Sequence, residues 1–425
     1  MSRKAIKDIA VTVKASLTPL NHPAERFNYY SIPDLDETGH PSVVEGKEIA
    51  SAKNLVTDGV ILVSKLNPRI KRVWKVDAES QRRNLASTEF IALKPEPADV
   101  DYLYYALHSE DLWRHLCSCA IGSTNSHTRC KPRDLENFEI EVAEHHQRPV
   151  IARILCTVDA LIESTEALIA KQQQIKQGML QDLFTRGVDA NGQLRPPHNE
   201  APELYHETEL GWLPKGWEVK RMDQVGSIRG RVGWKGYTVH DLRDNGPLVL
   251  GAAQISKDNR LDLHDPVYLS QEKYLESPEI MVSTGDILIV QRGSIGKVTI
   301  VDIEIGPATI NPSMILFKIS GVNSSFLYHW LCTHDLQAQI QNATSSTGVP
   351  MISQAQAGSF LLPYPTPEEQ KEIGFRLDLI MKRMDLDLAE AAKLKLLKSG
   401  LMQDLLSGKV SVEPLVEKIT ELAEA

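Results

Sequence analysis

Two stretches of the chain place apolar residues along a single helical seam. In the first, Ile151, Leu155, Val158, Ile162, Ile169, Ile175 and Met179 recur close to every 3.5 residues, with polar interruptions at Thr165 and Gln172. In the second, Ile373, Leu377, Ile380, Met384, Ala391, Leu394, Leu401 and Leu405 do the same, with Leu388 one place off. Seams sustained for about 37 residues predict coiled-coil helices, each about 55 Å long at about 1.5 Å per residue. The two helices, at 147–187 and 367–408, are expected to pair with each other. Start and stop signals agree. Pro149 suits a first turn, Thr366-Pro367-Glu368-Glu369 reads as a capping box, and Gly187 and Gly408 fit C-terminal caps.

The helices close the two halves of an internal repeat. Gly178-Met179-Leu180-Gln181-Asp182-Leu183 reads against Gly400-Leu401-Met402-Gln403-Asp404-Leu405 at an offset of 222, while Gln147 and Gln370 stand 223 apart. A period of half the chain means two large modules, not a solenoid. Residues 1–146 and 216–366 are mixed. Val60-Ile61-Leu62-Val63, Phe90-Ile91-Ala92-Leu93, Ile287-Leu288-Ile289-Val290 and Met314-Ile315-Leu316-Phe317 are short strand-like runs, and the segments at 102–107 and 326–331 read as helices in corresponding places. Residues 188–215, rich in proline, read as a polar linker, and 409–425 as a weakly acidic tail.

Charge changes this picture locally. The 425 residues carry a net charge of −9, which does not suggest a nucleic-acid partner. Yet Lys65, Arg69, Lys71, Arg72, Lys75, Arg82 and Arg83 face only Asp77 and Glu79 in their stretch, and Lys220, Arg221, Arg229, Arg231 and Lys235 face only Asp223. Each stretch holds a tryptophan, Trp74 or Trp234, so each module has one basic, aromatic-bearing segment able to follow a phosphate backbone. Two such patches in matching halves point to duplex DNA. Polar loops supply candidate base contacts: Asn67, the Ser123, Thr124, Asn125, His127 and Arg129 loop, the Gln291, Arg292, Ser294 and Lys297 loop, and Ser345, Ser346 and Thr347.

Five cysteines in an odd count fit a reducing compartment, and the lack of an apolar run of about 18 residues or of a signal peptide predicts a cytoplasmic protein with no membrane contact. Enzymatic patterns are weak. Asp34, Glu45 and Lys47 form a loose PD…ExK pattern that would hold Mg²⁺ in a nuclease. Asn311-Pro312-Ser313-Met314 lacks the second proline and the aromatic of an amino-methyltransferase element, and Cys117, Cys119, His127 and Cys130 match no standard zinc spacing.

These features together resemble the specificity subunit of type I restriction-modification systems over nearly the whole chain. The carrying strings are the duplicated helix with its Gln147 and Gln370 starts and Gly-x-x-Gln-Asp-Leu ends, GWLPKGWEVKRM at 211–222, GDILIVQRGSIGKV at 285–298 and VSKLNPRIKRVW at 63–74. The resemblance implies an α+β fold of mixed α/β modules: two target recognition domains separated by two long antiparallel coiled-coil helices, with pseudo-two-fold repetition. It implies a non-catalytic reader of a split site on double-stranded DNA. Two modification subunits that methylate adenine, and ATP-dependent restriction subunits, would join it, and S-adenosylmethionine, ATP and Mg²⁺ would belong to those partners rather than to this chain. The helices would act as spacer and docking surface through Gln147, Gln181, Asp182, Leu183, Gln370, Gln403, Asp404 and Leu405. One departure stands out. The proline-rich lead-in at Pro363-Tyr364-Pro365 has no counterpart at Glu141–His146. The modules share little sequence outside the helices, so two different half-sites are expected. A Mg²⁺-dependent nuclease and a coiled-coil scaffold without sequence specificity are the competing readings.

Overall fold

The computed structural model describes residues 1–77, 81–122, 127–231, 236–344 and 350–424. The chain forms two compact units, Met1–Glu166 with Ala389–Ala425, and Ala167–Leu388. The two long helices are Arg148–Thr185 and Pro367–Leu406, and each is shared between the units.

In the first unit, four strands lie in the order Ala10–Thr12, Phe90–Pro95, Ile61–Ser64, Val73–Lys75, all antiparallel. Both faces of this sheet are covered, so its central strands are continuous apolar runs instead of alternating ones. Ile61, Val63, Ile91 and Leu93 pack with Tyr102, Leu103, Ile151, Leu155, Leu405 and Val412, while Leu62 and Ala92 face Tyr30, Trp74 and Phe90. A second, five-stranded sheet runs Ser16–Leu17, Lys53–Val56, Asn84–Ala86, Arg26–Tyr30, Ser42–Glu45. A two-stranded ribbon joins Ser2–Ala5 to Glu139–Val142.

The second unit repeats this plan. Its antiparallel sheet runs Gly226–Gly230, Met314–Ile319, Ile287–Val290, Val298–Ile300. Ile287, Ile289 and Phe317 pack with Leu183, Phe184, Phe326, Ile373 and Leu377, and Leu288 and Val290 form a separate core on the other face. The ribbon of Glu218–Arg221 with Leu361–Tyr364 matches the one in the first unit, with little sequence in common.

Within each unit the helices run antiparallel. In the first, Val158, Ile162 and Leu394 form an apolar cluster, with Lys398 on Asp159 at 2.6 Å and Lys395 on Glu166 at 2.7 Å. In the second, the Gln172 amide donates to the buried Asp387 carboxylate at 2.7 Å, which also takes Arg383 at 3.1 Å. The polar break in the first seam therefore has a partner. It also explains the slipped Leu388, which is exposed because Asp387 takes the inward place. Ile175, expected on the seam, is exposed as well.

Two segments read as irregular are folded. Within 188–215, Tyr205–Thr208 pairs with Gly211–Pro214 as a hairpin, and Val188 and Leu213 enter the core of the second unit. The tail contains a helix, Glu413–Glu424, preceded by the buried Val412.

Candidate nucleic-acid interface

In the first unit, three loops meet at one end of the four-stranded sheet. The Lys65 amide donates to the Glu89 carbonyl at 2.9 Å, the Cys130 amide to the Lys65 carbonyl at 3.1 Å, and the Asn67 amide to the Thr128 carbonyl at 2.8 Å. Asn67 sits at φ 46°, a left-handed conformation that asparagine tolerates better than most residues. The two candidate loops at 65–72 and 127–129, far apart in sequence, are thus one surface.

Its cations are mostly paired. Arg129 makes a fork with Glu89 at 2.9 and 3.1 Å, Arg72 one with Asp36 at 2.7 Å for each bond, and Lys71 bonds Glu110. The Arg72 hydrogen bonds hold the Asp36 carboxyl below its usual range. Lys75 pairs with Asp101 at 2.9 Å and Arg83 with Glu25 at 2.5 Å. Among the described residues, Lys65 and Arg69 form no ion pair. Local basicity in sequence therefore overstates the free positive charge.

In the second unit the Gln291–Lys297 loop and residues 350–352 meet in the same way. The Gln291 amide donates to the Ser313 carbonyl at 2.9 Å and the Ile352 amide to the Gln291 carbonyl at 3.1 Å. Arg292 and Ser294 are exposed, and the Arg292 Nε lies 2.8 Å from the Met351 sulfur. Lys297 is half-buried on the Ile255 carbonyl at 3.2 Å, and Arg229 is exposed.

Three candidate contacts are interior groups and must be reassigned. Trp74 is buried edge-on against Tyr30, ring centroids 4.6 Å apart, so it offers no stacking face. Arg231 is 6% exposed and donates to the Ile310 carbonyl and the Thr309 hydroxyl, both at 3.0 Å. The buried Gln291 amide donates to the Pro312 carbonyl at 2.8 Å. Ser123, Thr124, Asn125, Trp234, Lys235, Ser345, Ser346 and Thr347 lie outside the described residues, and His127 is exposed.

The expected docking residues divide. Gln181 and Gln403 are exposed, whereas Leu183 and Leu405 are core residues. Gln370, 1% exposed, is an internal tie, donating to the Pro365 carbonyl and accepting from the Asn323 amide, both at 2.9 Å. Gln147 donates to Glu413 at 2.6 Å. Asp182 takes Arg186 at 2.9 Å and Asp404 takes Lys409 at 3.2 Å. Gln181 and Asp182 line a cleft of about 330 Å³ with Trp212 and His198, whose rings stack at 4.2 Å. Sequence reasoning missed an exposed apolar row on the distal helix, Phe375, Leu379 and Leu386 at 61, 59 and 65% exposure. Its signal was their position off the buried seam.

The enzymatic patterns are committed elsewhere. Asp34 accepts from the Ser31 and Ser42 hydroxyls at 2.5 and 3.1 Å, and Glu45 is held by Lys47 at 2.5 Å. Cys119 lies 3.7 Å from His115, while burial pushes the Cys130 thiol up to about 11. Among the described residues no group of three or more His, Cys, Asp or Glu is placed to hold a metal, and no helix is long and apolar enough to cross a membrane.

A family profile described as the type I restriction modification DNA specificity domain matches residues 214–396. The MjaVIII specificity subunit of Methanocaldococcus jannaschii is 24% identical over 79% of this chain and 76% of its own length. The putative MjaX specificity subunit of the same organism is 22% identical over 96% and 93%. Residues 214–396 thus match a type I specificity domain, and the chain is similar over most of its length to type I specificity subunits. The EcoDI specificity subunit of Escherichia coli is 24% identical over 77% of each chain. Among solved structures, the type I S subunit from M. genitalium superposes with a TM-score of 0.61 at 16% identity, covering 95% of this chain and 96% of that one. The mixed α/β fold is thus that of a solved type I S subunit.

Proposed function

We propose that this subunit reads a bipartite, asymmetric site on double-stranded DNA, one half-site per unit, and docks the subunits that modify and cut it. The observation that carries this reading is the repeated fold. Two units with one strand order bring matching loops together, yet the side chains on those loops differ. Two copies of one reader with different contacts suit two different half-sites. The exposed row Phe375, Leu379 and Leu386, on a helix whose other face is buried, suits a protein partner better than solvent. Adenine methylation with S-adenosylmethionine, and ATP- and Mg²⁺-dependent restriction, belong in this reading to the partner subunits in the cytoplasm.

The test is genome-wide adenine-methylation mapping in cells carrying this gene with its modification gene, against cells with the modification gene alone. A split, asymmetric motif that depends on this chain is the expected result, and no gene-dependent motif with both proteins expressed would reject it. Helix length is expected to set the gap between half-sites. One extra turn in both long helices should change the gap and leave both half-sites intact, and an unchanged motif would rule out the spacer role.

A further inference from the structure

The loop ends of the two four-stranded sheets share one backbone frame. Lys65 and Gln291 each donate an amide to the residue before the neighbouring strand, Glu89 and Ser313, at 2.9 Å in both units. Each then accepts at 3.1 Å from an amide of the loop before the next helix, that of Cys130 or Ile352. An isolated antiparallel bridge follows in each, Leu66 with Arg129 and Arg292 with Met351. The frame therefore fixes positional equivalence where sequence similarity does not: Leu66 with Arg292, Glu89 with Ser313, and Arg129 with Met351.

At these positions the backbone is kept and the chemistry is exchanged. Each unit has one arginine at the bridge, but on opposite strands, Arg129 in the first and Arg292 in the second. In the first unit Glu89 grips Arg129 through two of its guanidinium nitrogens, and both side chains remain partly exposed, Arg129 at 46% and Glu89 at 29%. In the second, the position of Glu89 is Ser313, and among the described residues Arg292 forms no ion pair and lies against the Met351 sulfur.

Resting on the reading that these units recognise DNA, we propose that Arg129 and Arg292 are the guanine-reading residues of the first and second half-sites. Glu89 then completes recognition of one G·C pair in the first half-site alone. An arginine fork matches the O6 and N7 acceptors of guanine in the major groove, and a carboxylate accepts from the cytosine amino group of the same pair. A Glu–Arg pair therefore presents the donor and acceptor pattern of one base pair. Holding the guanidinium in a fork beforehand reduces the entropy lost on binding. Moving the arginine from one strand of the bridge to the other displaces the base it reaches, which makes the two half-sites unequal within one frame.

The test uses the complete chain assembled with its modification subunits, and duplexes carrying the mapped motif with every single-base-pair change in each half-site. Arg129→Gln is expected to lower discrimination at one G·C position of the first half-site by on the order of 10- to 100-fold and to move preference there towards adenine, the usual partner of glutamine. The second half-site should be read as before, and Arg292→Gln should give the mirror result. Glu89→Gln should weaken discrimination at the Arg129 position only. If Arg129→Gln instead weakens all duplexes equally and lowers the salt dependence by about one ion, Arg129 is a phosphate contact and the assignment fails. An unchanged profile makes the pair a surface ion pair and also overturns it. Both outcomes leave the DNA-reading function intact, whereas a wild-type complex with no split motif would remove the reading beneath it.

Discussion

The Trp217 indole donates to the buried Glu369 carboxylate at 3.0 Å. The same carboxylate accepts from the Val188 amide at 2.7 Å and from Arg195 at 2.5 Å. One side chain in the first turn of the distal helix thus fastens the end of the central helix and the segment after it, all within the second unit. Gly187, at φ +60°, makes room for this cluster, since a Cβ there would lie 2.2 Å from the Glu369 carboxylate and 2.4 Å from the Trp217 ring.

Removing that carboxylate leaves a buried indole and a buried amide without their acceptor and takes the ion-pair partner from the half-buried Arg195. Glu369→Ala is expected to destabilise the second unit by about 3–5 kcal/mol, the usual consequence of breaking a buried pair from one side. Urea unfolding followed by tryptophan fluorescence would measure it. A change under about 1 kcal/mol would mean that water replaces these bonds freely.

Gln172 and Asp387 form a buried polar step in a largely apolar seam. Gln172→Leu alone should cost about 1–3 kcal/mol, because the buried Asp387 carboxylate loses a donor. Replacing both with leucine should recover most of that loss while loosening the register that the pair specifies. Thermal unfolding of the single and double variants decides the point, and additive losses in the double variant would contradict it.

His329 is buried beside Asp378, with its Nε2 2.9 Å from the carboxylate. Burial lowers its pKa, and Asp378 only partly opposes that effect. The unfolded chain, titrating near the ordinary value of about 6.5, then binds the proton more readily than the folded one. Stability is therefore expected to be retained above about pH 6.5 and to fall as pH drops below it. Melting temperatures from pH 7.5 to 5 should show this slope, and His329→Gln should flatten it. An equal slope in the variant would assign the effect to other groups.

Phe375, Leu379 and Leu386 support no core in their unit. Changing all three to serine should leave the melting temperature of the isolated chain within a few degrees, as surface substitutions do, yet reduce co-purification with modification subunits at least tenfold. Undiminished assembly would show that partners dock elsewhere.

The two long helices were legible in the sequence because a 3.5-residue period survives in a one-dimensional reading. Gln172 was visible as a break, but its partner lies in the other helix, so only the fold shows why the break is tolerated. The linker was read as polar because Val188 and Leu213 are isolated apolar residues in a proline-rich stretch, with no period to mark them as core. Trp74 and Arg231 carry the local signature of a surface patch. Their burial depends on Tyr30 and on the carbonyl of Ile310, which no local window contains. The equivalence of Arg129 and Met351 rests on backbone hydrogen bonds alone, to which side-chain sequence is blind.

The first unit is closed by the last stretch of the chain, with Leu405 and Val412 packing in one core with Ile151 and Leu155. On the ribosome, the whole of 167–388 is made between the two parts of that core. At about 5–20 residues per second, the apolar face of residues 151–155 waits on the order of ten to fifty seconds for its cover. The contiguous second unit can therefore fold first. Truncation by premature termination would leave the N-terminal unit permanently open, making chaperone capture and early degradation its expected fate, while its neighbour still folds.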